Sequence, residues 1–269
     1  MAVAGKLPSK DSLVTVIMPV FNGDRFIEEA IEGVLNQTHE NFRFMIVDDG
    51  SGDRSAELSK RDAARDGRIE LNQHENRGVA VSMNRVLELA RTDWVFRMDS
   101  DDIMLPQRLE RQIAFIQENP QMKGASFKAN YIDTSGRIFG TSANTIRTPK
   151  ALKDLVDRGE AIGLLGPGAA MDRQTILSVG GFRGQFLSAS DIDLWTRTAE
   201  NGHLVLVQDE ILMKYRIHNK SIVTSDFLAN REQYEWVRQC MYHRRTGKTE
   251  PNWQEFQTIW NSAPWWKKK

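Results

Sequence analysis

Three clusters of acidic residues are the side chains of this chain best suited to do chemistry. The densest runs from Asp99 to Asp102, and the others are Asp48-Asp49 and Asp191-Ile192-Asp193. Carboxylates this close repel one another and raise each other's pKa unless a cation relieves them. Mg²⁺ and Mn²⁺ prefer such oxygen ligands, so the clusters are candidate metal or catalytic sites. Each cluster alone has a simpler interpretation: a solvated turn that caps the next helix for Asp99 to Asp102, an Asx turn for Asp48-Asp49, and stabilisation of a helix's first turn for Asp191 and Asp193.

Two residues near the end of the patterned part of the chain add positive charge. Arg216 carries a fixed charge that suits phosphate, and His218 carries an imidazole, a common metal ligand. A surface ion pair and a surface histidine are the plainer alternatives. Cys240 is the only cysteine, which excludes an internal disulfide and a multi-cysteine metal site.

The elements that must position these groups alternate between strand-like and helix-like segments over the first half of the chain. Apolar runs at residues 13–21, 42–47, 69–71 and 94–98 predict strands, with amphipathic helices between them. This alternation predicts an α/β fold with a mostly parallel sheet. Ligands of such sheets bind outside the carboxyl ends of the strands, so Asn22, Asp48 and the cluster from Asp99 should meet at one edge.

The rest of the chain is less regular until its helical end. A strand and turn are predicted at residues 131–140, a helix at 151–158 and a Gly/Pro loop at 163–168. A helix is predicted at 190–201, followed by two strands at 204–207 and 211–215. From residue 226 onward the pattern is helical and holds five of the seven tryptophans, Trp236, Trp253, Trp260, Trp265 and Trp266.

Composition and missing motifs exclude several classes of protein. The chain has 269 residues and a net charge of +0, so a basic field for nucleic acid is absent and no nucleic-acid partner is expected. Its longest apolar run is far shorter than the ~20 residues of a membrane helix, and no secretory signal is present, so a cytoplasmic location is expected. The glycine-rich motifs of dinucleotide-binding and P-loop proteins are also missing.

Six segments in one order resemble the inverting family 2 glycosyltransferases, which have the GT-A fold. These segments are residues 14–23, 46–51, 76–78 with Asn84, 99–102 with Pro106 and Leu109, 180–182 with 191–195, and 215–221. Together they cover roughly residues 13–221, and their order is more specific than any single segment. The resemblance implies a GT-A, Rossmann-like central sheet that is flanked by helices and followed by a helical C-terminal extension.

The resemblance also implies a role for each matching residue. The base and ribose of a nucleotide would lie among Pro19, Phe21, Asp48, Asn76, Arg77 and Gly78, with Asp99 near the ribose. Asp101 would hold Mn²⁺ or Mg²⁺, Arg216 and His218 would close over the diphosphate, and His218 would also reach the metal. Asp191 would be the catalytic base. The family often has Glu-Asp where this chain has Ser190-Asp191, so the motif does not indicate how the pKa of the base is tuned.

The implied activity is metal-dependent, inverting transfer of a hexose or N-acetylhexosamine from a nucleotide-diphosphate sugar to a hydroxyl. UDP is the expected nucleotide, GDP and dTDP stay open, and the acceptor would be a saccharide or lipid-linked saccharide in cell-surface polysaccharide or glycolipid synthesis. Two alternatives are a non-catalytic binding subunit, which should lack Asp101 or Asp191, and a sugar-nucleotide nucleotidyltransferase, which needs a basic glycine-rich loop after the first strand. The predicted domains are 1–225, with a nucleotide-binding part at 13–120 and an acceptor-side part at 121–225, and an extension at 226–269.

The extension has two open interpretations. Residues 231–269 carry eight Lys or Arg and four Glu, a charge of +4, and end in three lysines. Trp253, Phe256 and Trp260 recur on one helical face, and aromatic and basic residues favour the interface of an anionic membrane. The segment therefore either attaches the protein peripherally to the inner face of the membrane or packs its aromatic residues on the catalytic domain.

Overall fold

A single mixed sheet with helices on both faces forms the body of the protein. The computed structural model describes residues 6–143, 146–219, 221 and 227–262. The strands are β1 (Val14–Val20), β2 (Phe42–Asp48), β3 (Ile69–Gln73), β4 (Trp94–Arg97), β5 (Ile103–Met104), β6 (Met122–Ile132), β7 (Ile138–Thr141), β8 (Ala170–Asp172) and β9 (Leu204–Arg216). The helices are α1 (Ile27–Leu35), α2 (Ser55–Ala63), α3 (Val79–Leu89), α4 (Arg108–Glu118), α5 (Pro149–Asp157), α6 (Arg173–Ser178), α7 (Ser190–Glu200), α8 (Phe227–Arg245) and α9 (Trp253–Ser262).

The order of strands confirms the predicted, mostly parallel sheet. Neighbouring strands follow the order β3-β2-β1-β4-β8-β6-β9-β5. β7 pairs with the C-terminal end of β6, at residues 130–132. β1 is parallel to β2 and β4, β2 to β3, and β6 to β9. The short β8 lies antiparallel between β4 and β6, so these two strands share the direction of β1. The carboxyl ends of β1, β2, β4 and β9 therefore meet at one edge.

The apolar pattern of β1 shows how both faces of the sheet are covered. Val14, Val16 and Met18 are buried in a cluster with apolar residues of α1, α2 and α4. Ile17 points the other way, into a second cluster with residues of α3, α6 and α7. Successive strand residues face opposite sides, so a strand buried on both faces must be apolar almost throughout, as β1 is.

Two long paired strands, β6 and β9, correct the expectations for the middle of the chain. β9 is one strand where two were predicted, and β6 begins at Met122, before the strand expected at 131. Their register shifts so that Phe127 pairs with Gln208 while Lys128 pairs with Ile211. Asp209 and Glu210 are the extra residues, and such a bulge interrupts the apolar pattern without ending the strand. The polar residues 208–210 therefore explain why the sequence predicted two strands where the structure has one.

The C-terminal helices pack on the segment that leads into α7. The Trp236 ring of α8 lies 4.4 Å from Phe186 and 5.0 Å from Trp253, and its indole N–H donates to the Pro251 carbonyl at 2.8 Å. Trp253, Phe256 and Trp260 stack in series along α9, as their spacing predicts. These aromatic residues favour the packing interpretation.

The rest of the extension gives no support to either interpretation. Trp265, Trp266 and the terminal lysines at 267–269 lie outside the described residues. Within the part of the chain that is described, no helix is both long and apolar enough to span a bilayer. The domain boundary at 225 stays a prediction.

Candidate active site

Hydrogen bonds join the loop after β1 to the loop after β2. Asn22 adopts a left-handed conformation with φ of 52°, and its side-chain oxygen accepts the Gly52 N–H at 2.8 Å. The N–H of Gly23 donates to the Ser55 hydroxyl at 2.8 Å. Asn is among the residues that tolerate this conformation best, which explains its place in the turn. Phe21, one residue earlier, is left 51% exposed at the edge of the sheet, and Pro19 is half-buried.

Asp49, a member of an acidic cluster whose partners the sequence did not indicate, organises the predicted nucleotide loop. Its carboxylate accepts the N–H groups of Arg77 at 2.8 Å and Gly78 at 2.9 Å. Gly50 has φ of +74°, and a β-carbon there would lie 2.7 Å from the Asn76 nitrogen, so only glycine allows this approach.

The neighbouring carboxylate, predicted to reach the nucleotide, is turned inward. Asp48 is buried and accepts hydrogen bonds from the Ser51 N–H and the Gln73 amide, both at 3.3 Å. Asn76 and Arg77 are exposed beside it, at the edge where a ligand can approach. The contact of Asp48 with nucleotide stays a prediction.

The loop after β4 meets the end of β9, which brings the two predicted metal ligands together. An Asp101 carboxylate oxygen lies 2.9 Å from Nε2 of His218, although these residues are far apart in sequence. Burial, followed by the charge of Asp99, raises the pKa of Asp101, and His218 partly opposes the rise. The Asp101 carboxylate is therefore a group that a cation would stabilise in its ionised form.

The donor set suits a cation that arrives with a phosphate ligand. The described residues contain no group of three or more His, Cys, Asp or Glu side chains that could hold a metal ion. Mg²⁺ commonly binds through one or two carboxylates and completes its coordination with substrate phosphates and water. Asp101 supplies one such carboxylate, and His218 beside it adds an imidazole, a common metal ligand.

Arg216 connects the elements around this pair. It is 3% exposed, its Nε donates to the Asp101 carbonyl at 2.8 Å, and Nη2 lies 2.5 Å from Glu29 of α1. Its guanidinium also lies 4.4 Å from the ring centre of Phe26, which contacts the His218 ring on another side. These contacts describe a residue that fixes the Asp101 loop, and its predicted contact with diphosphate stays a prediction.

Two buried ionisable residues, Asp102 and Arg108, lie beside this loop and interact electrostatically. The Asp102 side chain accepts the Arg216 N–H at 2.7 Å through one oxygen, while the other oxygen has no hydrogen-bond partner among the described residues. Burial, with the charges of Asp101 and Asp99, raises the pKa of Asp102 well above its usual value. Arg108 is fully buried over the Phe127 ring, and its burial lowers its pKa to about 9.

The first turn of α7 separates its two carboxylates, as their spacing predicts. Asp193 is fully buried and bound by Arg183 and Arg197. Asp191 instead faces the sheet edge, and a β-carbon on Gly166 would lie 2.8 Å from its Oδ2. Burial raises the pKa of Asp191, and the guanidinium of Arg97 is the largest opposing influence. We call Asp99, Asp101, Asp102 and Asp191 the carboxylate edge.

Two residues to which the sequence assigned no role, Arg97 and Asn84, complete the site. Arg97 ends β4 and binds Asp99 through two hydrogen bonds, at 2.8 and 3.0 Å. Asn84 of α3 exchanges two hydrogen bonds with the Phe182 main chain, at 2.7 and 2.8 Å, and so holds the loop that leads to α7. Strand alternation could have found Arg97, because residues two apart face the same side.

Comparison with known proteins identifies the family of the chain. The model of "Glycosyl transferase family 2" matches residues 15–177. The uncharacterized glycosyltransferase MJ1057 of Methanocaldococcus jannaschii is 28% identical over 258 residues, which cover 95% of this chain and 84% of that protein. The O-antigen biosynthesis glycosyltransferase WbnJ of Escherichia coli is 27% identical, with 86% of this chain and 94% of WbnJ covered.

Solved structures with the same architecture include two glycosyltransferase complexes. TarS of S. aureus, in complex with UDP-GlcNAc, matches with a TM-score of 0.64 and 17% identity, covering 88% of this chain and 74% of that chain. The mannosyltransferase PcManGT of Pyrobaculum calidifontis, with GDP-Man and Mn²⁺, matches with a TM-score of 0.64 and 19% identity, covering 91% and 67%. At these identities the likeness establishes the fold.

Proposed function

The chain belongs to glycosyl transferase family 2 and has the GT-A fold, and on this basis we propose that it is a metal-dependent, inverting enzyme. Its donor is a nucleotide-diphosphate sugar and its acceptor a hydroxyl group. The observation that supports the proposal best is the arrangement around the carboxylate edge: the Asp101–His218 pair lies at the ends of β4 and β9, and Asp191, in the first turn of α7, lies near Arg97 at the end of β4. A pair suited to a cation and a separate buried carboxylate are the two groups that such a transfer requires.

The proposed donor is a UDP-sugar that carries a hexose or an N-acetylhexosamine. The loop of Asn76, Arg77 and Gly78, held by Asp49, supports this proposal because it offers exposed polar groups beside the half-buried Pro19 and the exposed Phe21. TarS binds UDP-GlcNAc and PcManGT binds GDP-Man, so both nucleotides belong in the test.

The proposed chemistry uses Asp191 as the general base. Its carboxylate takes the proton of the acceptor hydroxyl while the acceptor oxygen forms a bond to the anomeric carbon and the bond from that carbon to the diphosphate breaks. General-base catalysis by a positioned group typically contributes 10²–10⁴-fold. Mn²⁺ or Mg²⁺, held by Asp101 and His218, would supply positive charge to the leaving diphosphate. Attack opposite the leaving group inverts the anomeric centre.

The proposed acceptor is a saccharide or lipid-linked saccharide of a cell-surface polysaccharide or glycolipid. WbnJ, which is named for O-antigen biosynthesis, supports this class of product. The proposed location is the cytoplasm or the inner face of the membrane, reached through the extension at 226–269. The contacts of Trp236 with Phe186 and Trp253 support a catalytic domain at 1–225 with the extension packed on it.

Ligand-dependent thermal stability tests this proposal directly. UDP-hexoses, UDP-N-acetylhexosamines and GDP-mannose are added to the protein with Mn²⁺ or with EDTA, and Tm is measured. A donor at 100 times its Kd stabilises the native state by about 2.7 kcal/mol. For a chain of this size that raises Tm by about 5–10 °C.

The variants separate metal-assisted binding from other effects. Asp101→Asn should keep the ligand-free Tm and lose the Mn²⁺-dependent increase, because Asp101 lies in a loop at the sheet edge. Asp11→Asn, a change at an exposed residue far from the site, should behave as the wild type. The proposal is wrong if no nucleotide sugar changes the Tm of the wild type and none is consumed. An equal shift in EDTA would refute only the metal requirement.

A further inference from the structure

Arg97 is a largely buried basic residue to which the chemistry above gives no role. Its main-chain N–H donates to the Ala169 carbonyl at 2.8 Å, and its carbonyl accepts Nη2 of the buried Arg108 at 2.5 Å. The backbone at the end of β4 is therefore fixed from both sides, and the side chain, 12% exposed, leaves it in a defined direction.

The guanidinium lies between two carboxylates of the carboxylate edge. Two hydrogen bonds, at 2.8 and 3.0 Å, join it to Asp99. A β-carbon placed on Gly166 would be 2.8 Å from Oδ2 of Asp191 and 3.2 Å from Nη1 of Arg97. These two atoms are therefore within about 6 Å of each other, the range over which an opposite charge favours an ionised carboxylate.

Helix α7, which carries Asp191, offers few groups of its own that could stabilise the ionised Asp191 carboxylate. Arg197, the basic residue of α7, is bound to Asp193, and Ser190 stands where the family often has a glutamate. Asp191 accepts the Ile192 N–H at 2.8 Å through Oδ1. Burial raises the pKa of Asp191, Arg97 opposes that rise, and Asp99 adds to it. A general base must be ionised to act, so this balance determines the pH at which it works.

We propose that Arg97 is a positioning residue that keeps the Asp191 carboxylate ionised and oriented for proton transfer, with Asp99 setting how much of its charge Asp191 experiences. This inference rests on the proposed function, because it takes Asp191 as the base. Arg97 acts on Asp191 through space, while its bidentate contact with Asp99 holds the guanidinium in place.

The test is the dependence of kcat on pH at saturating donor and Mn²⁺, which limits the influence of Asp101 and His218. Arg97→Gln should move the acidic limb to higher pH, because the Asp191 carboxylate loses its nearest cation. Turnover should fall about tenfold at the acidic end and stay within about threefold on the alkaline plateau. Arg97→Lys keeps the charge and should shift the limb less. Asp99→Asn removes a negative charge and should shift it in the opposite direction.

The sign of these shifts separates the possible outcomes. The proposal is refuted by an equal loss of turnover at every pH, which indicates a purely structural role, and also by a limb that none of the variants moves. The Tm without ligand and the circular dichroism spectrum show whether each variant folds, and Arg97→Lys with Asp99→Asn carries the sign test if Arg97→Gln does not fold. Full activity of Asp191→Asn would refute the assignment of the base itself, a failure distinct from that of Arg97.

Discussion

Two groups of carboxylates on neighbouring parts of the molecule have opposite electrostatic surroundings. We call the contacts of Asp193, Glu200 and Glu250 with Arg183, Arg197, Arg244 and Arg245 the arginine network. Although burial alone would raise the pKa of Glu250, hydrogen bonds from Arg244 and Arg183 lower it. At the carboxylate edge the balance is reversed, and the pKa values of Asp101, Asp102 and Asp191 are all raised.

This difference in pKa separates acidic residues that stabilise the fold from acidic residues that are available to bind a ligand. In the arginine network each carboxylate is bound by at least one guanidinium, which joins α7, α8 and the loop before α9. At the carboxylate edge carboxylates outnumber guanidinium groups, so binding a cation or transferring a proton relieves repulsion. Asp191 and Asp193 show the contrast within a single helical turn.

The largest effect we expect is on turnover, from Asp191→Asn. The amide is nearly the same shape as the carboxylate but cannot take a proton, so kcat should fall at least ~10²-fold. Donor affinity and Tm should remain close to those of the wild type, because Asp191 is not part of the arginine network. Steady-state kinetics with calorimetry checks this. Wild-type turnover in this variant would show that the carboxylate edge does not supply the general base and would remove the functional difference from the arginine network.

A smaller effect, on stability rather than chemistry, is expected for Asp193→Asn. Removing Asp193 leaves the buried Arg197 without a carboxylate partner and Arg183 with Glu250 alone. Losing one partner of a buried ion pair costs about 3 kcal/mol in the free energy of unfolding. Urea denaturation measures this, and kcat below the unfolding transition should change far less than in Asp191→Asn. Asp154→Asn, at an exposed helical pair with Lys150, is the control and should unfold as the wild type does. A stability loss in Asp191→Asn but not in Asp193→Asn would reverse our assignment.

The smallest effect tests how precisely Asp191 must be placed. In Gly166→Ala the new β-carbon lies 2.8 Å from Asp191 Oδ2 and 3.2 Å from Arg97 Nη1, so one of them must move by a few tenths of an ångström. We expect kcat to fall roughly tenfold, since small misplacements of reacting groups are costly. Gly163→Ala in the same loop meets nothing within 4 Å and should keep wild-type kinetics. Equal kinetics in both variants would show that the carboxylate tolerates displacement.

The sequence predicted the parallel strands β1 to β4 well because each of them has a clear local pattern of apolar residues. β1 and β2 are apolar over most of their length and end in turn residues, which is typical of strands buried on both faces. β9 was divided because Asp209 and Glu210 resemble a turn, and only the partner strand shows that they form a bulge. The family resemblance, drawn from six separate segments, is confirmed by the match over residues 15–177.

The candidate site was predictable where a role depends on local order and was missed where it depends on a distant partner. The separation of Asp191 from Asp193 followed from helical spacing, and the i,i+4 pair of Asp193 with Arg197 was readable from the same helix. Arg183 and Glu250, 67 residues apart, gave no such signal. Asp49 was recognised as part of an acidic cluster, but its role was not predicted, because its partners, the N–H groups of Arg77 and Gly78, come together only when the chain has folded.

The bond from the Arg216 N–H to Asp102 also bears on how the protein is made. These residues are 114 positions apart, and the same strand end brings His218 to Asp101. At translation rates of 5–20 residues per second, synthesis of the intervening chain lasts roughly 6–23 s. β1 to β4 can pair during that delay, whereas the contacts of Asp101 and Asp102 with the end of β9 form only after β9 has left the ribosome. We therefore expect a nascent chain to pair β1 to β4 first and to form this part of the proposed site last, and a product that ends before β9 to lack the Asp101–His218 pair.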